Sequence, residues 1–199
     1  MSRFFASWYD FFMNPLEKKK FKRIRKELLT MATGNVLELG SGTGINFPFY
    51  ENAENVTAIE PSQHMIECSL AKHKQAVVPI EIVQASAEEL PFAANTFDTV
   101  VATLVFCTIP NPEKAILEMK RVCKSNGKIL LFEHVKMQNR FLSILQDWLT
   151  PAWKKICDGC CLNRKTLDLL MANDISIMKV QKYYRDLFVF AEAKNNKKA

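Results

Sequence analysis

From residue 35 onward, short β-branched and apolar runs alternate with helical patterns, the rhythm of stacked βα units around a parallel sheet. Five runs read as strands, at 35–39, 56–60, 80–84, 99–106 and 128–133. All five are apolar on both faces, as strands buried between two helical layers must be. Pro61-Ser62 opens a helix running to about residue 74. Asn111-Pro112-Glu113 opens another, with Asn as cap and Pro at the first helical position. In that helix Ile116, Leu117, Met119 and Val122 fall on one face and Lys114, Glu118 and Lys124 on the other. Ser125-Asn126-Gly127 is expected to end it in a left-handed turn. Segments 175–184 and 187–193 read as strands joined at Arg185-Asp186, a connection suited to antiparallel pairing. The expected fold class is α/β, a mostly parallel seven-stranded sheet with helices on both faces and an antiparallel C-terminal hairpin.

Two stretches fall outside this rhythm: a helical, aromatic and basic leader over 1–30, and a helical insertion over 138–172 that Pro151 is expected to interrupt. With the cofactor-type core between them (31–137) and the hairpin and basic tail (173–199), they make up one expected domain of 199 residues. A 48% apolar composition with only 8 Pro and 6 Gly excludes extended disorder and a disulfide-dependent miniature scaffold. The net charge of +6 is local, carried by Lys18, Lys19, Lys20, Lys22, Arg23, Arg25 and Lys26 and by the tail. No apolar run has the length of a membrane span and the N-terminus lacks signal-peptide order, so the expected location is cytoplasmic, with the six cysteines as reduced thiols. Cys157-Asp158-Gly159-Cys160 is formally a C-x-x-C, but no second pair or paired histidines accompany it, and no metal is expected.

Glycine is scarce, yet Gly34, Gly40, Gly42 and Gly44 crowd into one short window. Gly34 is expected to end the leader helix. The other three follow the first strand directly, where a glycine turn lets backbone approach a ligand at the carboxyl end of a sheet. Glu60, at the end of the second strand, is placed to accept hydrogen bonds from two ribose hydroxyls. The spacing G-x-G-x-G, with Ile45 where a dinucleotide fingerprint has its last glycine, disfavours an NAD-dependent oxidoreductase. A P-loop is excluded, because no Gly-Lys-Ser/Thr follows.

Glu38-Leu39-Gly40-Ser41-Gly42-Thr43-Gly44, then Glu60, then 84–92 (Gln-Ala-Ser-Ala-Glu-Glu-Leu-Pro-Phe), then Phe97-Asp98, resembles class I S-adenosylmethionine-dependent methyltransferases. The likeness is to the ubiquinone/menaquinone-type branch and to thiol- and phospholipid-methylating relatives. Asp147-Trp148, Trp153 and Asp158-Gly159-Cys160 extend it more weakly. The resemblance implies a Rossmann-like sheet, S-adenosyl-L-methionine as cofactor and S-adenosylhomocysteine as product. It implies that Gly40, Gly42, Thr43 and Gly44 cradle the methionine end, Glu60 holds the ribose, Ser86 and Ala87 border adenine, and Thr103 lies near the methionine amino group. Many relatives have Asp or Asn where this chain has Ser86. Met65 is a candidate to cover the adenine face, with ordinary helix packing as the equal alternative.

Methyl transfer from a sulfonium needs in-line alignment and at most a base for the acceptor's proton. His134, after Glu133 at the end of the fifth strand, is the substrate-side candidate, as base, orienting group or structural residue. Asp158 and Cys107 are weaker candidates, and His64 and His73 read as surface. Phe4, Phe5, Trp8, Tyr9, Phe11 and Phe12 precede the basic run. This leader reads as a lid with Tyr9 pointing inward, as an interfacial helix giving peripheral membrane contact through 2–26, or as a helix packed on the domain. The expected partner is a small or lipid-like acceptor (thiol, quinol or phospholipid) rather than nucleic acid, since no nucleic-acid methylation motif is present. A cofactor-binding regulatory protein without catalysis is the alternative.

Overall fold

The computed structural model describes residues 20–157 and 159–197, so Tyr9, the rest of 1–19 and Asp158 lie outside the described residues. Seven strands form one sheet: β1 Gly34–Leu39, β2 Ala53–Ile59, β3 Ile80–Val83, β4 Phe97–Thr103, β5 Cys123–His134, β6 Ile175–Tyr183 and β7 Phe188–Asn195. Their order is β3-β2-β1-β4-β5-β7-β6. The first five run parallel, and β7 pairs antiparallel with both β5 and β6. The chain leaves β1 toward β2 on one side and returns to β4 on the other. That reversal opens a crevice at the carboxyl ends of β1 and β4, where open α/β sheets bind ligands.

Alternation along the buried strands sends side chains to two helical layers. Leu37 and Leu39 of β1, Val100 of β4 and Leu131 of β5 pack with Ala115, Ile116, Met119 and Val122 of α3 (Pro112–Val122) and Leu170 of α5 (Thr166–Ala172). Val36, Val101, Leu130 and Phe132 face the other way, onto Phe21 and onto Ile24, Leu28 and Leu29 of α1 (Lys22–Leu29). The remaining helices are α2 (Gln63–His73) and α4 (Arg140–Ile156).

The start signals hold. The Ser62 hydroxyl accepts from the Met65 N–H, and Asn111 accepts from the Lys114 N–H with Pro112 opening the helix. Four expectations are corrected. Helix α3 stops at Val122, and Cys123 is already extended, so Ser125-Asn126-Gly127 lies within β5 as an irregularity where Asn126, not Gly127, is left-handed. On α3 itself Leu117 is exposed and Ala115 is buried. Helix α4 runs unbroken through Pro151. Helix α1 ends at Leu29, and Gly34, with φ +68°, opens β1 against Asp98 instead of capping α1.

Candidate active site

The glycine turn is built from three left-handed residues with different neighbours. A Cβ on Gly40 (φ +62°) would lie 2.2 Å from Val105 Cγ2, and one on Gly44 (φ +71°) 2.7 Å from the Phe47 ring. Those two glycines let other parts of the protein approach. Gly42 (φ +54°) has nothing within 4 Å of that position. A side chain there would enter open space and meet no neighbouring residue. The turn is braced from α2 by Lys72, whose ammonium donates to the Thr43 carbonyl and hydroxyl.

Glu60 follows β2 and is buried. One carboxylate oxygen accepts from the Gly42 N–H and the other from the Ser62 N–H, both at 3.0 Å. Burial raises its pKa, against those two N–H groups. Each oxygen keeps a lone pair for a ligand hydroxyl. Met65, in the first turn of α2, is buried, as is Ala87. The Ser86 hydroxyl accepts from the Glu88 N–H and is turned onto its own loop. The loop is held by Glu118 and Arg121 of α3, which bond the Leu90 N–H and the Leu90 and Phe92 carbonyls.

Beneath the turn lies a buried polar network that the charge pattern had hidden. Arg25, counted above as part of a basic run, points inward from α1 and donates to Asn46 Oδ1 and Thr103 Oγ1, each at 2.9 Å. Asn46 donates to Glu38 Oε1 at 2.7 Å and to Thr103 Oγ1, while the Tyr50 hydroxyl donates to Glu38 Oε2. Thr103, expected to face a ligand amine, has its hydroxyl occupied by this network. The signal was legible in helical periodicity: Phe21, Ile24, Arg25, Leu28 and Leu29 form one stripe, and all five are buried.

Burial pushes Glu38 up to about 7, against the bonds from Asn46 and Tyr50 and the charge of Arg25. Below pH 4.5 this group's stabilising contribution is fully present, because both states hold the proton. It is lost as pH rises through 7, where the folded protein must ionise a buried acid. The full effect is about 3 kcal/mol. Glu38→Gln keeps an oxygen for Asn46 and is expected to flatten this decline. Urea unfolding near pH 5 and near pH 8 checks it; an unchanged pH dependence would assign the decline to another group.

At the carboxyl end of β4, Leu104 turns the chain with φ +54°, a strained conformation for a bulky residue. The turn aims the Val105 and Phe106 N–H groups at Glu133 Oε1, at 2.9 and 3.1 Å. Burial raises Glu133 to about 7. His134, the substrate-side candidate, has its Nε2 3.2 Å from Cys160 Sγ, with Cys107 beside them. The Cys107 thiol shares a hydrogen bond with Cys160, which with burial raises Cys107, whereas that bond and His134 lower Cys160. His64 and His73 are half-buried, not surface residues, and His73 Nε2 meets the Ile80 carbonyl at 2.9 Å.

A family profile described as "Methyltransferase domain" matches residues 37–131, the segment that builds the crevice. The human thiol S-methyltransferase TMT1B is 34% identical over 166 residues, 77% of this chain and 68% of that protein. The chain belongs to the methyltransferase-domain family. It is also 34% identical to the phosphatidylethanolamine N-methyltransferase of Cereibacter sphaeroides, over 67% of this chain and 68% of that one. Identity falls to 28% with the ubiquinone/menaquinone C-methyltransferase UbiE of Pseudomonas fluorescens, over 94% and 77%. An S-adenosylmethionine-dependent methyltransferase from Mesorhizobium loti shares the fold, with a TM-score of 0.63 at 15% identity, covering 85% of this chain and 95% of that one. The TMT1B match reaches past the profile: even with every residue before Leu37 counted, 77% of this chain extends about twenty residues beyond Leu131.

Among the described residues no helix is long and apolar enough to cross a membrane.

Proposed function

We propose that the chain, working as one domain, methylates the sulfur of a small lipophilic thiol. The observation that supports this reading is that the TMT1B similarity holds 34% identity over 77% of this chain, more of it than the phosphatidylethanolamine enzyme at equal identity and at higher identity than UbiE. Chemistry and surface both fit it. A thiol needs only loss of its proton before in-line attack, with no covalent enzyme intermediate. Helix α4 leaves Phe141 82% and Trp148 75% exposed, with Ile144 and Ile156 also open, an apolar face suited to receiving a lipophilic acceptor.

Bound in the crevice, S-adenosylmethionine supplies an activated methyl group. The chain's own residues bind and orient. In this reading the turn and open space formed by Gly40, Gly42, Thr43 and Gly44 hold the methionine end, and Glu60 accepts the ribose hydroxyls. Met65, Ser86 and Ala87 border adenine, and Ala87 and Met65 supply apolar surface. Thr103 acts through the Arg25–Asn46 network, fixing the floor beneath the cofactor. The proposed compartment is the reducing cytoplasm, which keeps thiols such as Cys107 and Cys160 in the free state that the structure has.

The test offers purified protein and methyl-labelled cofactor a long-chain alkyl thiol, phosphatidylethanolamine and a quinol precursor, with products read by mass spectrometry. The expected result is a labelled thioether. Labelled phospholipid or quinol without thioether would overturn the thiol reading.

A further inference from the structure

Three side chains far apart in sequence meet at the carboxyl edge of the sheet. Cys107 comes from the turn after β4, His134 ends β5, and Cys160 lies in the connection between α4 and α5. One ligand atom from each falls within 4.8 Å of the other two. Cys107 is buried, and His134 and Cys160 are partly so. The backbone fixes the meeting: the Cys161 N–H donates to the Cys107 carbonyl at 2.9 Å, and the Cys160 N–H donates to the Cys157 carbonyl at 2.9 Å. Gly159, at φ +89°, makes the bend that turns Cys160 inward. Beside the cluster, His134 Nδ1 and Glu133 Oε2 are buried without a hydrogen-bond partner.

We propose that Cys107, His134 and Cys160 form a binding site for one borderline-soft divalent cation, best matched by zinc. Two sulfurs and one imidazole are the donors zinc prefers, and calcium and magnesium are disfavoured because they require oxygen ligands. Tetrahedral zinc with ordinary bond lengths sets sulfur–sulfur separations of about 3.8 Å and sulfur–nitrogen separations of about 3.5 Å. The 3.2 Å between His134 Nε2 and Cys160 Sγ is within a small side-chain adjustment of that geometry. On binding, each thiol releases one proton to solvent and forms one metal–sulfur bond, while neutral imidazole donates its lone pair. The two thiolate charges then cancel the 2+ of the ion, which suits a site closed on the Cys107 side.

Three protein ligands leave a fourth position open. The bound ion would clip the α4–α5 connection to the ends of β4 and β5. The C-x-x-C spacing of Cys157 and Cys160 is incidental in this arrangement, since Cys157 contributes no ligand. The inference does not depend on which acceptor is methylated.

The experiment uses the whole chain, reduced and chelator-free, titrated with cobalt(II) as a spectroscopic stand-in and then displaced by zinc. Expected are one cobalt per chain and a near-ultraviolet sulfur-to-cobalt band that zinc abolishes. Cys160→Ser is expected to weaken cobalt binding at least tenfold and diminish the band, with Cys107→Ser and His134→Ala also weakening binding. A Cys157→Ser/Cys161→Ser double variant keeps the band. Circular dichroism confirms that each variant is folded; should Cys107→Ser fail to fold, the less buried Cys160→Ser decides. Absence of the band in reduced wild-type protein would overturn the site. So would an undiminished band in Cys160→Ser, or its loss in the Cys157→Ser/Cys161→Ser variant.

Discussion

Gly42→Asn is expected to weaken S-adenosylhomocysteine binding at least 100-fold, about 2.7 kcal/mol, while moving the melting temperature by only a few degrees. Asparagine accepts the left-handed backbone at φ +54° with little strain, and no protein atom lies within 4 Å of the new Cβ. If the turn holds the cofactor as proposed, the added side chain meets the cofactor instead of the protein. It projects beside the N–H that Glu60 accepts, where methionine and ribose would lie. Gly40→Ala is the contrast. Its Cβ would sit 2.2 Å from Val105 Cγ2, in a left-handed conformation, so the cost falls on folding and appears first in the melting temperature. Calorimetric titration and thermal melts on both variants separate the effects. Wild-type affinity in Gly42→Asn would remove the glycine turn from the cofactor site.

How much of this was legible depended on whether the signal was local. Strand positions came from runs of apolar residues: β1 and β4, buried on two faces, leave a continuous signature, whereas the edge strands β3 and β6 are partly exposed and are marked by their β-branched runs. The caps at Ser62 and Asn111 were readable because one side chain bonds an N–H three residues on. The Ser125–Gly127 turn misled because the same residue types serve a helix end and a strand irregularity, and the choice was made by pairing of β5 with β4. Pro151 misled because α4 absorbs a lost hydrogen bond on a largely exposed helix. Composition places Arg25 in a basic run, whereas helical phase places it on the buried stripe of Phe21, Ile24, Leu28 and Leu29. The Cys107–His134–Cys160 cluster left no spacing to read: its members sit on three elements that only the tertiary fold brings together.

Arg25→Met tests that buried network and carries the largest expected loss of stability. Methionine keeps much of the unbranched stem but removes the guanidinium from Asn46 Oδ1 and Thr103 Oγ1, and from its place 5.8 Å from the Phe132 ring centroid. Removing one member of a buried charged network leaves the others unpaired, at a typical cost of about 3–5 kcal/mol. For a chain of this size that lowers the melting temperature by about 10 °C. The loss is coupled to Glu38, because Arg25 is the positive charge that offsets the burial of that acid. Without it Glu38 is held protonated to higher pH, so the decline in stability, which starts where the unfolded chain ionises, extends to higher pH and is larger. Glu38→Gln removes the acid altogether, so adding Arg25→Met to it should cost less than Arg25→Met alone. A double-mutant cycle by urea denaturation near neutral pH reads that difference, with an expected coupling of about 1 kcal/mol or more. Strict additivity would mean that Arg25 stabilises the protein through packing against Phe132 and its hydrogen bonds alone, with no contribution from its charge reaching Glu38.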